Sequence, residues 1–254
     1  MTPLDGFAGL SALPINLHLN GLIERAEPRS KNTRRYLGAS SVGSDCLRKT
    51  QYDWKCTAEF PVRINDIFSR GFHFENLTRQ RLIAIGFEFA PVEQLEFKAL
   101  DGQFCGHADG VAIRGPELPN FRYPAIWENK CLGAKGWSAI ERDGLTGLYK
   151  VYAVQVALYQ QHLDLKNPAL FTVTNADSCE RLHFNVPFNA QLAQIYSERA
   201  AQVITTTNAG KLLPRIATDP DDWHCRSCGH QRRCWRTVTD KLIESKEAPH
   251  QSKT

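Results

Sequence analysis

Two stretches decide the fold: Cys105-Gly106-His107-Ala108-Asp109-Gly110-Val111, and after a Pro/Gly-punctuated loop, Ala125-Ile126-Trp127-Glu128-Asn129-Lys130-Cys131. Both read as strands. Residues two apart on a strand share a face, so Glu128 and Lys130 project together while Trp127 and Asn129 project to the other side. The bland meaning of Glu-x-Lys is an exposed edge. Here the pair follows Ala125, Ile126 and Trp127, and charges embedded in a buried-strand pattern need a reason. If the Asp109 strand lies alongside, two carboxylates and an ammonium converge.

The pattern outward from these strands is alternately strand-like and helical. Upstream, residues 87–99 and 103–114 alternate in polarity around Asp101-Gly102, a hairpin signal. A long helix is expected over 64–85, with Ile64, Ile67, Phe68, Phe72, Leu77 and Leu82 giving an apolar face, ended by Gly86. A helix start is expected near 40–57, capped by Ser44 or Asp45. Residues 1–33 read as an irregular arm or capping segment. Downstream, helices are expected at 134–142, 147–164 and 188–208, strands at 169–175 and 180–186, and a short helix after the cysteines. The order implies an α/β (α+β) fold, a central mixed sheet flanked by helices. The domain layout is an arm over 1–39, a core domain over 40–245 and a disordered tail over 246–254.

Of the 254 residues, 42% are hydrophobic and 23% charged, the balance of a globular protein. No run approaches the ~18 to 20 apolar residues of a membrane span. The start Met1-Thr2-Pro3-Leu4-Asp5-Gly6 lacks a basic, then apolar, leader, so the expected location is cytoplasmic. The net charge of +4 permits a polyanionic partner without demanding one. Arg25, Arg29, Lys31, Arg34 and Arg35 form one basic cluster, and Arg226, Arg232, Arg233 and Arg236 another. Their flanking of the carboxylate region favours phosphate contacts over a merely solvated surface.

Phosphodiester hydrolysis suits the Asp109, Glu128 and Lys130 set. Carboxylates hold hard cations such as Mg²⁺ or Mn²⁺. Such an ion lowers the pKa of water, and a lysine can orient that water or offset developing charge.

Gly-His-Ala-Asp-Gly followed by Ile-Trp-Glu-Asn-Lys resembles the PD-(D/E)xK nuclease superfamily, in its RecB-like and phage-type exonuclease branch. Gln155-x3-Tyr159 is similar to the branch's Gln-x3-Tyr motif, and Arg70-Gly71-x3-Glu75 to its first-helix motif. Many RecB-like members carry histidine where Glu75 stands, while phage recombination-type exonucleases often carry glutamate. The resemblance spans roughly residues 40–210. It implies a restriction-endonuclease-like core. Glu75, Asp109 and Glu128 would bind the metal, joined by the Asn129 carbonyl oxygen. Lys130 would handle the nucleophilic water, and Gln155 and Tyr159 would contact DNA or steady the lysine. His73 is expected to pack or contact DNA, and His107 to point away from the near neighbours of Asp109, so neither is expected to ligate.

Eight cysteines in a cytoplasmic chain are not expected to be disulfides. Cys225-x2-Cys228-x5-Cys234 has metal-site spacing but only three thiolates, where a tetrahedral zinc or a cluster wants four. His224, His230 and the distant cysteines are the candidates. The resemblance implies a 4Fe–4S cluster, as in CRISPR-associated iron–sulfur exonucleases, with Cys46 as fourth ligand and Cys56 as its rival. Zinc is the alternative. Such a cluster would join the N- and C-terminal segments. Cys105, Cys131 and Cys179 read as small packed residues.

The expected function is a metal-dependent DNA exonuclease in phage or bacterial DNA processing, recombination or repair, acting in the host cytoplasm if phage-encoded. DNA ends are the expected partner, with recombination or replication proteins beside them and no membrane. The rivals are a single-strand or flap endonuclease of the same fold, a non-catalytic DNA-binding module with a structural zinc or iron–sulfur site, and a zinc protein with an unrelated α/β core.

Overall fold

The computed structural model describes residues 13–26, 30–32, 35–56, 58–60, 62–91, 95–226 and 228–236. Helix α1 (Leu13–Ala26) and strand β1 (Ser30–Asn32) precede β2 (Leu37–Gly38), α2 (Ala39–Val42) and α3 (Leu47–Lys55). Strand β3 (Ala58–Phe60) leads into the long α4 (Val62–Ala84). Then come β4 (Glu88–Phe89), β5 (Leu95–Ala99), β6 (Phe104–Ala108), β7 (Gly110–Arg114) and β8 (Ala125–Leu132). The chain closes with α5 (Ala134–Asp143), α6 (Lys150–His162), β9 (Ala169–Asn175), β10 (Arg181–Val186), α7 (Ala190–Asn208), α8 (Trp223–Arg226) and α9 (Gln231–Trp235).

A five-stranded sheet in the order β10-β9-β8-β7-β4 forms the centre. Strand β8 runs parallel to β9 and antiparallel to β7, so the sheet is mixed. A three-stranded sheet, β2-β6-β5, stands beside it, and β1 pairs with β3. Strand β8 is buried from Ala125 through Asn129, because helices cover both faces. Trp127 packs with Leu82 of α4, Phe87, Ala112 and Leu170. Ile126 belongs to a second core with Val154 and Leu158 of α6, Phe171 of β9 and Val203 of α7. The α/β class with a mixed, helix-flanked sheet is therefore what the chain adopts.

Several local expectations are corrected. Residues 103–114 are two strands in different sheets, broken at Asp109. The arm is not irregular throughout, since it contains α1, whose Ile15, Leu17 and Leu19 are exposed. Leu37, placed in the arm, is fully buried in strand β2. Helix α3 starts later than expected. Its cap is Cys46, whose Sγ accepts from the Lys49 N–H at 3.4 Å, while Asp45 pairs with Lys150. Helix α6 is not a one-sided amphipathic helix. Every residue from Val154 to Gln160 is buried, its polar members carried by hydrogen bonds such as Gln160 Nε2 to the Asn167 carbonyl at 2.9 Å. The tail over 246–254 and the helix expected after the cysteines lie outside the described residues. No helix among the described residues is long and apolar enough to cross a membrane.

Candidate active site

Asp109 occupies the break between β6 and β7, where the chain leaves one sheet for the other. Freed from the ladder, its Oδ2 accepts from the Asn129 backbone N–H at 2.8 Å. That bond ties the aspartate to β8 next to Glu128. Gly110 follows because space is short. A Cβ there would lie 3.2 Å from both Phe89 and Trp127.

Glu128 is fully buried on the α6 face of the sheet. Its Oε1 accepts from Lys130 Nζ and, at 2.7 Å, from Gln155 Nε2. The Gln155 amide also donates to the Tyr159 hydroxyl at 2.8 Å. Gln155 and Tyr159 thus sit one turn apart inside the protein, not on a helix surface. The other Glu128 oxygen, Oε2, is buried with no hydrogen-bond partner among the described residues. An orphaned buried carboxylate oxygen costs roughly 1–3 kcal/mol or more, so it needs a use.

The electrostatics agree. Burial, then the Asp109 charge, pushes Glu128 up to about 8. Burial and Asp109 likewise push Glu75 of α4 up to about 7. Asp109 is raised by burial, against the pull of Lys130 and the Asn129 N–H. Burial works to discharge Lys130, but Glu128 and Asp109 overcome it and hold the ammonium charged. Three carboxyl groups therefore crowd around one lysine, and a divalent cation among them would favour their charged forms. Glu75, Asp109 and Glu128 fit such an ion in donor type and charge. Among the described residues, no three His, Cys, Asp or Glu side chains are drawn together closely enough to enclose one.

Asn129 turns its side chain away, its Oδ1 accepting from the Thr172 hydroxyl at 2.8 Å. His107 faces Glu96, at 3.3 Å, and Tyr36. His73 stands edge-on to Phe74. Sequence reasoning missed three contributors. Tyr152 places its ring 5.6 Å from Lys130 Nζ. Thr172 takes the Trp127 indole N–H at 3.0 Å and fixes the Asn129 side chain, so it holds β8 in place. Gly106 lets the Tyr159 ring lie on β6, because a Cβ there would come within 2.5 Å of that ring and 2.4 Å of Phe97. The small residue in Gly-His-Ala-Asp was the available signal for the last.

The acidic groups predict a pH-dependent stability. Their folded pKa values lie above the unfolded values, so the folded chain holds more protons between about pH 4.5 and 8. Stability from these groups therefore falls as pH rises through that window. A cation held by these carboxylates would reverse the loss. Saturating Mg²⁺ or Mn²⁺ is expected to raise Tm by roughly 5–10 °C at pH 8 and hardly at pH 5, where protons compete. Glu128→Gln should blunt the difference. Thermal melts at both pH values, with and without cation, check this.

Apart from this site, a cavity is lined by Cys46, Cys225, Cys228 and Cys234, together with Arg48, Arg215, His224 and His230. Cys56 lines a different cavity, beside Thr207 and Leu212. Burial raises the Cys228 thiol, which lies in the field of Cys46. His230 turns its Nε2 to Asp53 at 3.0 Å, and His224 its Nδ1 to Asp222 at 2.7 Å. Arg48 donates to the Leu213 carbonyl and Arg215 to the Cys234 carbonyl, joining α3 to the C-terminal segment.

No protein-family model matches this chain, and no curated protein matches it by sequence. In structure it is similar to an alkaline exonuclease, LHK-Exo, from Laribacter hongkongensis. Identity is 14% and the TM-score 0.48, over 69% of this chain and 89% of that one. The same exonuclease in complex with dAMP aligns at 16% identity and a TM-score of 0.49, over the same shares. The protein SSO0001 aligns at 11% identity and 0.40, over 87% of this chain and 95% of that one.

Proposed function

We propose that this chain is a metal-dependent deoxyribonuclease of the PD-(D/E)xK kind, working as an exonuclease. The observation that carries the reading is the unpartnered, buried Glu128 Oε2 beside Asp109, with Lys130 and Gln155 occupying Oε1. In this reading Glu75, Asp109, Glu128 and the Asn129 carbonyl hold Mg²⁺ or Mn²⁺. When bound, the ion supplies Lewis acidity toward the scissile phosphate and toward water.

The chain's own residues divide the remaining work. Lys130 is partly exposed while Glu128 is buried, so its ammonium is the group of the pair that reaches the substrate side. It orients the attacking water and offsets charge developing on the phosphate. Gln155 fixes the Glu128 rotamer and is itself fixed by Tyr159, so the carboxylate meets its ligand without reorganising. The Asn129 N–H holds Asp109 in a single orientation. The basic residues near both ends of the described chain would contact phosphates.

The reading includes a 4Fe–4S cluster on Cys46, Cys225, Cys228 and Cys234, as the spacing resemblance implies. Its support is that all four thiols line one cavity, while Cys56 does not. Zinc is the alternative occupant, because His224 and His230 line the same cavity. A cluster there would be structural, tying α3 to the C-terminal segment. The biological setting proposed is DNA processing, recombination or repair.

End-labelled linear DNA and covalently closed circular DNA, incubated with the protein and Mn²⁺, test the cutting mode. Release of nucleotides from linear DNA alone is expected. Cutting of the closed circle would replace the exonuclease with an endonuclease of the same site.

A further inference from the structure

Helix α4 carries a feature that the proposed chemistry leaves unused. Phe68 is 45% exposed and Phe72 63% exposed, an unusual state for two phenylalanines on a helix that packs against the central sheet. Together with Glu75 and Arg79 they follow an i, i+4, i+7, i+11 spacing, which places all four along one stripe. The stripe thus runs from the candidate metal carboxylate out to two open aromatic rings. Four residues of helix set the rings about 6 Å apart along the axis. Phe68 is braced edge-on by Phe60 at 5.3 Å, so it is presented rather than merely left out.

Gly71 adds an independent observation. It lies between Phe68 and Glu75 on the helix surface, and a Cβ placed there would meet nothing within 4 Å. A glycine in mid-helix costs roughly 0.5–1 kcal/mol relative to alanine. No packing among the described residues requires it. A bare backbone patch beside exposed rings is where a ligand can approach closely. The helix is also basic, with Arg63, Arg70, Arg79 and Arg81 against Asp66 and Glu75.

We infer that Phe68 and Phe72, with the bare surface at Gly71, form a stacking platform for unpaired bases of a single-stranded DNA end whose scissile phosphate lies by Glu75. The inference rests on the nuclease reading of the Asp109 site and names the form of its substrate. Exposed rings without hydrogen-bonding groups cannot read base edges in a duplex groove, but every unpaired base offers a face to stack on. The arginines would follow the backbone.

The test is fluorescence anisotropy with the full chain in EDTA, which keeps the DNA intact. The probes are a labelled oligothymidine and a blunt duplex of equal length. Phe68→Ala and Phe72→Ala are expected to weaken oligothymidine binding by roughly tenfold each and duplex binding by less than twofold. Phe72→Trp should restore the affinity, and Phe72→Ala should keep the wild-type Tm because its ring is mostly exposed, whereas Phe68→Ala also loses the Phe60 contact and should lower Tm by a few degrees at most. Gly71→Ala should raise Tm yet weaken oligothymidine binding, a split that a purely structural glycine would not show. Equal losses on both probes, unchanged oligothymidine affinity, or no binding by the wild-type chain would each overturn the platform. A chain that cleaves DNA with Mn²⁺ but is indifferent to Phe68 and Phe72 loses the platform and keeps the nuclease. A chain with the selective binding loss but no Mn²⁺-dependent cleavage keeps the platform and loses the nuclease.

Discussion

Asp109→Asn is expected to lower DNA cleavage by at least about a thousandfold while leaving Tm unchanged or higher. The two halves of that result have different causes. A ligand carboxylate supplies charge to the cation and, through it, to the transition state; groups of this kind are worth roughly 10²–10³ or more in rate. Stability moves the other way. Asp109 is buried beside Glu128 and Glu75, and its charge helps raise both of their pKa values. Asparagine keeps an oxygen to accept the Asn129 N–H but removes one of three crowded negative charges. A residue with only a structural role would lose stability on substitution, so activity and Tm measured on the same preparation separate the roles. Glu128→Gln should behave alike, with relief of the same repulsion.

Cys225→Ser carries the second large expectation. If Cys46 and the C-terminal cysteines share one inorganic centre, they close a loop of nearly 180 residues. Loop-closure entropy for that length is worth roughly 5 kcal/mol. For a chain of this size that corresponds to a Tm decrease of roughly 10–20 °C. The anaerobically purified protein should be brown, and Cys46→Ser, Cys225→Ser, Cys228→Ser and Cys234→Ser should each bleach it. Cys56→Ser should neither bleach nor destabilise, because Cys56 faces another cavity. A colourless wild type with one zinc per chain would replace the cluster by zinc. Equal effects of Cys56→Ser and Cys46→Ser would overturn the ligand assignment.

The central strand was legible because it opens on an apolar run. Ala125 to Trp127 states its own burial, and the Glu-x-Lys spacing states which side chains share a face. The extent of helix α4 was legible, but its buried face was not: Phe74, Thr78 and Leu82 turn inward, while Phe68 and Phe72, expected on the apolar face, are exposed. What stayed hidden depends on contacts distant in sequence. Residues 103–114 carry one strand-like pattern, and nothing local says that Asp109 will leave the ladder to accept the Asn129 N–H across to β8. The burial of α6 on all sides follows from the elements around it, including α2, α7 and the sheet. Its buried Gln155 and Gln160 donate to Glu128 and to the Asn167 carbonyl, partners that no local pattern supplies. Cys46 displaced Ser44 and Asp45 as the α3 cap, although thiols are weak acceptors. Asp45 is drawn instead to Lys150, a partner that local reading could not supply. Thr172 shapes the site through cross-strand contacts that no motif spacing encodes, while Gly106 left only the small residue of Gly-His-Ala-Asp as its signal.

The most direct test of the Asp109, Glu128 and Lys130 site is cleavage of end-labelled linear DNA by the wild-type chain and by Lys130→Met, each with Mn²⁺ and with EDTA. Lys130 is the group assigned to water and phosphate, and methionine preserves its apolar stem without its charge. The account predicts degradation by the wild type that EDTA abolishes and that Lys130→Met lowers by at least about a thousandfold. Cleavage that persists in EDTA or in Lys130→Met, or no cleavage by the wild type with Mn²⁺, would contradict it.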